Sequence, residues 1–203
     1  MSQSRGAAVQ ERFVEVPSGA VSLKGILAVP SNAIGAVLFA HGSGSGRFSP
    51  RNNYVARVLQ EAGIATLLID LLTEEEAEDR RLVFDIGLLT TRVMDAAAWL
   101  RQNRDTQGLP IGYFGASTGS AAALRAAAEE GLAVAAVVSR GGRPDLAMDQ
   151  LPRVMSPTLL IVGGEDVPVI ELNQIAYDQL AGPKELVIVP GATHLFEEPG
   201  ALE

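Results

Sequence analysis

Short β-branched apolar runs alternate with longer segments of helical period along this chain. The runs predict strands near residues 12–17, 21–28, 35–40, 64–70, 110–115, 133–139, 157–163 and 185–190. Ser18-Gly19 between the first two is a hairpin signal. From the third onward the runs are almost continuously apolar, as strands buried on both faces of a parallel sheet must be. Between them, Leu89, Val93, Ala96, Ala97 and Leu100 recur at three- and four-residue spacing and predict a helix over 83–103. Shorter helices are predicted over 52–62, 118–130 and 171–180, with Gly63 and Gly131 placed to end two of them. The alternation defines a doubly wound α/β chain, in which ligands bind outside the carboxyl ends of the strands.

Composition narrows the classes without choosing among them. The 203 residues fit one domain. There is no cysteine, which removes disulfides, thiolate metal sites and a thiol nucleophile together. A formal charge of −8 argues against nucleic-acid binding and against attraction to an anionic membrane. The opening MSQSRGAAVQERF has no apolar leader core and no run approaches a membrane span, so a soluble, cytoplasmic protein is expected.

The chemistry sits at the strand ends. After the fifth strand comes Gly115-Ala116-Ser117-Thr118-Gly119, followed by an alanine-rich helix. A serine on a sharp strand-to-helix turn projects its hydroxyl above the sheet, at the positive end of a helix, and its neighbours two positions away must be small. The plainer alternative is a glycine turn with an N-capping serine. A serine nucleophile needs a base, and the chain has two histidines, His41 and His194. His194 lies just beyond the last strand and is the expected base. His41 ends the third strand and is expected to be structural, with substrate contact as the alternative. The carboxylate that orients the imidazole is expected at Asp166 after the seventh strand, with Glu165 and Asp145 as competitors. The loop His41-Gly42-Ser43-Gly44-Ser45-Gly46 offers backbone donors, so an oxyanion would rest on the amides of Ser43 and Thr118.

These segments resemble an α/β-hydrolase of the dienelactone-hydrolase-like group. HGSGSGRFSPRNNYVARVLQEAG, IATLLIDLL, YFGASTGS, SRGGRP, LLIVGGEDVPV and VPGATHLFEEP carry the resemblance across residues 41 to 199. It implies an α/β-hydrolase fold with Ser117 as nucleophile, Asp166 as acid and His194 as base. It also implies ester or lactone hydrolysis without a cofactor or metal. The order serine, acid, histidine is the one such enzymes use. Two departures stand out. Dienelactone hydrolases proper use cysteine where Ser117 stands, and only nine residues follow His194, where the fold normally adds a helix. Either the chain is cut short or another subunit covers that sheet face, so a homo-oligomer stays open.

About 17 residues, 140–156, separate the sixth and seventh strands, too few for a cap domain. An open or shallow site that admits water and prefers short acyl chains is therefore expected; Arg140 and Arg143 are expected to be surface or loop-anchoring residues, with pairing to a substrate carboxylate as the alternative. The acidic run Glu74–Asp79 reads as a solvated helix start. Three rivals remain. A dinucleotide unit is imitated by the glycine loop and Asp70, but Arg47 stands where that spacing needs glycine. A catalytically silent hydrolase fold used for binding, and an acyltransferase with the same residues, are the others. A histidine base also implies that activity falls in acid, as the imidazole takes up its proton.

Overall fold

The computed structural model describes residues 8–202, so most of the leader reading, which falls on residues 1–7, lies outside the described residues. Eight strands form one sheet in the order β1-β2-β4-β3-β5-β6-β7-β8. They are β1 (Val9–Ser18), β2 (Val21–Pro30), β3 (Gly35–Ala40), β4 (Ile64–Ile69), β5 (Ile111–Ala116), β6 (Val137–Arg140), β7 (Thr158–Gly163) and β8 (Lys184–Val189). The pairs β1–β2 and β2–β4 are antiparallel and the rest parallel, so the carboxyl ends of β3 to β8 share one rim.

Five helices cover the faces: α1 (Pro50–Glu61), α2 (Arg80–Val83), α3 (Ile86–Gln102), α4 (Thr118–Glu130) and α5 (Val167–Gln179). Alternation along the strands assigns the two sides. Leu38, Leu67 and Tyr113 pack with Ala96, Leu100, Ala123 and Ala176 of α3, α4 and α5, forming the larger core. Their neighbours Phe39, Leu68 and Phe114 pack with Ala56 of α1, forming the smaller one. No helix follows β8 among the described residues, and none is long and apolar enough to cross a membrane.

Local chemistry moved several boundaries. The helix expected over 83–103 starts at Ile86, because Asp85 caps it by accepting from the Leu88 amide at 2.9 Å, and the short α2 before it ends at Val83. The predicted β6 loses its first half, since Gly131–Ala133 is a tight helical turn. Helix α5 starts four residues early, with Pro168 in its first turn, where a missing amide hydrogen costs nothing. Residues 140–157 carry only two short turns, Pro144–Ala147 and Leu151–Arg153, and no cap domain.

Candidate active site

Ser117 joins β5 to α4 with φ +50° and ψ −123°, a conformation that costs a residue with a side chain roughly 1–3 kcal/mol. The surroundings hold it there. Its carbonyl accepts from the Ser120 hydroxyl at 2.7 Å and from the Ser120 and Arg143 amides at 3.1 Å each. The flanking glycines permit the turn. A Cβ on Gly119 would lie 2.2 Å from the Ala40 carbonyl oxygen, and one on Gly115 would lie 2.4 Å from the Ser120 Cα. Ser117 makes no side-chain cap to α4, so its hydroxyl is not engaged by the helix it precedes.

His194 follows β8 on a loop closed by Glu198, which accepts from the Thr193 amide at 3.1 Å and the Thr193 hydroxyl at 2.5 Å. These bonds hold the Glu198 carboxyl below the usual range. The His194 Nδ1 donates to Asp166 Oδ2 at 2.6 Å, and that bond leaves Nε2 as the acceptor of the ring. Asp166 is the carboxylate that reaches the imidazole. Its competitors are placed elsewhere: Asp145 makes a two-pronged bond to Arg143 at 2.8 Å in each arm, and Glu165 is exposed. Ser117 and His194 line one cavity of about 260 Å³, with Ser43, Asn52, Arg51 and Arg140. No hydrogen bond joins the Ser117 hydroxyl to the imidazole in this structure; such contacts often tighten only when substrate is bound.

The glycine loop is pinned. Asp70 accepts from the Arg47 amide at 2.6 Å and pairs with its guanidinium, while Asn53 Nδ2 donates to the Arg47 carbonyl at 2.9 Å. Asp70 thus anchors the loop, which accounts for the residue that imitated a ribose-binding acid. The Ser43 amide, an expected oxyanion donor, here donates to Thr118 Oγ1 at 3.1 Å. The two expected donors are therefore neighbours, and one of them has a resting partner.

His41 has no ring nitrogen left for a substrate. Its Nδ1 donates to the Gly42 carbonyl at 2.8 Å and its Nε2 accepts from the Leu71 amide at 3.0 Å. The ring ties the end of β3 to the segment after β4, and it also lines the cavity beside the glycine loop, so any substrate contact there is a packing contact. Burial lowers its pKa below the ordinary 6.5, against the smaller opposing pull of the Gly42 carbonyl and Asp70. The unfolded chain then binds the proton more readily than the folded one, so His41 favours folding fully above pH 6.5 and progressively less below it. Thermal melts between pH 7.5 and 5.5 should show His41→Asn losing less stability on acidification than the parent; equal slopes would contradict this.

A second cavity of about 660 Å³ opens beside the glycine loop, walled by Phe48, Leu72, Ala77, Val83 and Leu89. One wall comes from the connection between β4 and α3, whose acidic run is tied down: Glu76 pairs with the buried Arg92 at 3.0 Å and Glu74 with Lys24 at 2.7 Å. That run is a short turn at Glu76–Glu78 rather than a long helix. Arg143 is occupied by Asp145, whereas Arg140 lies buried against the cavity that Ser117 and His194 line.

An eight-stranded sheet of this order, with a serine at such an elbow and a histidine–aspartate pair at the neighbouring strand ends, defines the α/β-hydrolase class. The family described as alpha/beta hydrolase domain matches residues 33–202, and this chain belongs to it. It is dienelactone-hydrolase-like: a crystal structure of a dienelactone hydrolase from Anabaena variabilis ATCC 29413 is 64% identical, with a TM-score of 0.93 over 96% of this chain and 92% of that one. An esterase domain from a Rhodothermus marinus protein, 20% identical, shares the fold with a TM-score of 0.76 over 95% of this chain and 93% of that one. Two curated Mycobacterium tuberculosis proteins, provisionally named phosphoribosyl transferases, are 58% identical over 195 residues, 96% of this chain and 44% of theirs. The chain thus spans less than half the length of those relatives.

Proposed function

We propose that this chain is a serine hydrolase that cleaves carboxylic esters or lactones through an acyl-enzyme. The observation that carries the reading is the strained Ser117 sharing one cavity with His194, whose other nitrogen is held by Asp166. In the first step His194 Nε2 takes the Ser117 proton as the oxygen attacks the carbonyl carbon. The oxyanion takes hydrogen bonds from the amides of Ser43 and Thr118. Collapse expels the alcohol, which receives the proton from the imidazolium. Water then repeats the sequence on the acyl-enzyme, releasing the acid and restoring the serine.

We assign the transferase name of those relatives to the part of the longer proteins that this chain does not span. Its aligned part corresponds to the hydrolase-like sheet and its strand-end site, and a serine–histidine–aspartate set serves attack on a carbonyl. An acyltransferase would use the same residues with an alcohol or amine in place of water. A fluorophosphonate probe followed by peptide mass spectrometry tests the reading. Labelling at Ser117, abolished by heat unfolding, is expected; a folded sample that stays unlabelled would exclude a serine enzyme and favour a silent binding protein.

The larger cavity supports an acyl group longer than acetyl, bound past the glycine loop against Leu72, Val83 and Leu89. Across p-nitrophenyl esters from acetate to palmitate, kcat/KM should peak at intermediate length, roughly fifteenfold to sixtyfold above acetate, because two or three added methylenes contribute about 0.8 kcal/mol each when buried. An optimum at acetate would restore the shallow site.

A further inference from the structure

We propose that Asn173 and Ser120 are positioning residues of the catalytic centre: together they clamp the turn after β6, residues 141–143, which sets Ser117, His194 and Asp166 against one another. The inference rests on the esterase reading above and adds to it two side chains that the reacting groups never touch.

Asn173 lies on α5 and is fully buried, and it lines neither cavity. Its Nδ2 donates to the Gly142 carbonyl at 3.0 Å and to the Val169 carbonyl, one turn back in its own helix, at 2.8 Å. Two carbonyl partners fix which end of the amide is the nitrogen. Among the described residues Oδ1 has no hydrogen-bond partner. A fully buried amide with one end unpaired is unfavourable, and an apolar side chain would fill the place without that cost. What the amide alone supplies is the hold on Gly142.

The clamped turn meets all three members of the proposed triad. The Arg143 amide is shared between the Ser117 carbonyl at 3.1 Å and Ser120 Oγ at 3.0 Å, and the Ser120 hydroxyl donates to the same carbonyl at 2.7 Å. Gly142 is seated so closely on Ser139 and Ser120 that a Cβ there would collide with both hydroxyls. Gly141 backs the base: a Cβ on it would lie 2.9 Å from the His194 carbonyl oxygen and 3.7 Å from His194 Nδ1. Asn173 adds the acid. It stands two helical turns after Asp166, about 10 Å along the axis of α5, so tying it to Gly142 fixes where that helix starts. Ser117 Oγ and His194 Nε2 must meet at hydrogen-bond distance when substrate binds, and a misplacement of about 1 Å costs roughly a hundredfold in rate.

The test measures p-nitrophenyl butanoate hydrolysis by Asn173→Ala beside Ile111→Ala, a truncation in the same core at the opposite end of β5. Both are assayed well below their melting temperatures. Asn173→Ala should lower kcat roughly tenfold to a hundredfold with KM within about twofold, because the cavities stay and only the geometry of attack is lost. Ile111→Ala should keep the parental kcat even where it melts earlier. A parental kcat in Asn173→Ala, or a loss that Ile111→Ala reproduces, would make Asn173 a packing residue and overturn the proposal.

Should Asn173→Ala fail to fold, Ser120→Ala decides instead, since alanine suits that alanine-rich helix. It should lower kcat about fivefold, the worth of one neutral hydrogen bond, with KM unchanged; a parental kcat would overturn the clamp. If the parent cleaves no ester, the esterase reading fails by itself. The low-field proton NMR signal of the His194 Nδ1 proton bonded to Asp166 then still reads the clamp. It should shift in Asn173→Ala, or in Ser120→Ala, and stay in place in Ile111→Ala; a signal that stays in place in every variant would overturn the proposal.

Discussion

Replacing Ser117 by alanine is expected to lower kcat on p-nitrophenyl butanoate by roughly four or more powers of ten while the protein stays folded. The size follows from the chemistry: without the hydroxyl no acyl-enzyme forms, and only the backbone donors remain to help water attack. The fold should tolerate the change because the bonds that hold the turn end on the Ser117 backbone, which alanine keeps. His194→Ala should cost about as much, and the double variant little more than either single one, because nucleophile and base act as a unit. A loss below tenfold in either single variant, measured on a sample with unchanged melting behaviour, would refute the assignment.

The second large effect is expected at Asp166. Asp166→Asn should reduce kcat by about four powers of ten, since an amide opposite Nδ1 favours the ring tautomer that leaves Nε2 protonated and unable to accept the serine proton. The loss should be catalytic. Asp166 stands at the N-cap position of α5, but its side chain makes no cap hydrogen bond; it meets His194 instead, at 2.6 Å. Asp145→Asn removes one partner of the Arg143 pair and should show in the melting temperature, with kcat within about threefold of the parent, since that partly exposed ion pair contributes little to the site. Glu165→Gln, on an exposed side chain, should change neither. A larger kcat loss at Glu165 or Asp145 than at Asp166 would move the acid.

Strand-end chemistry was legible in the sequence because small residues and chemistry coincide there. Gly115 and Gly119 mark a crossing where a hypothetical Cβ would meet backbone at 2.2–2.4 Å, and the serine between them is thereby singled out. The parallel strands were legible for a related reason: Leu38 and Phe39, or Tyr113 and Phe114, are both apolar because each faces a different core. What escaped depends on partners distant in the chain. Nothing local says that the β4–α3 connection would wall a cavity; that required Glu76 to meet Arg92, sixteen positions on. The burial of Arg140 depends on Phe196, brought in by the histidine loop, and on Asn52 of α1. His41 was expected to be structural, but its partner, the Leu71 amide thirty positions away, is not legible in the sequence.

The hydroxyl of Thr118 resting on the Ser43 amide gives the proposed enzyme a built-in bias. A neutral ester oxygen that displaces this hydroxyl exchanges one ordinary hydrogen bond for another, so the Michaelis complex gains almost nothing from the swap. Once the oxygen acquires charge, the same amide donates to an anion, and a bond roughly twice as strong replaces the resting one. The stopper therefore withholds its stabilisation from the waiting substrate and releases it at the top of the barrier, which is where a gain in binding becomes a gain in speed.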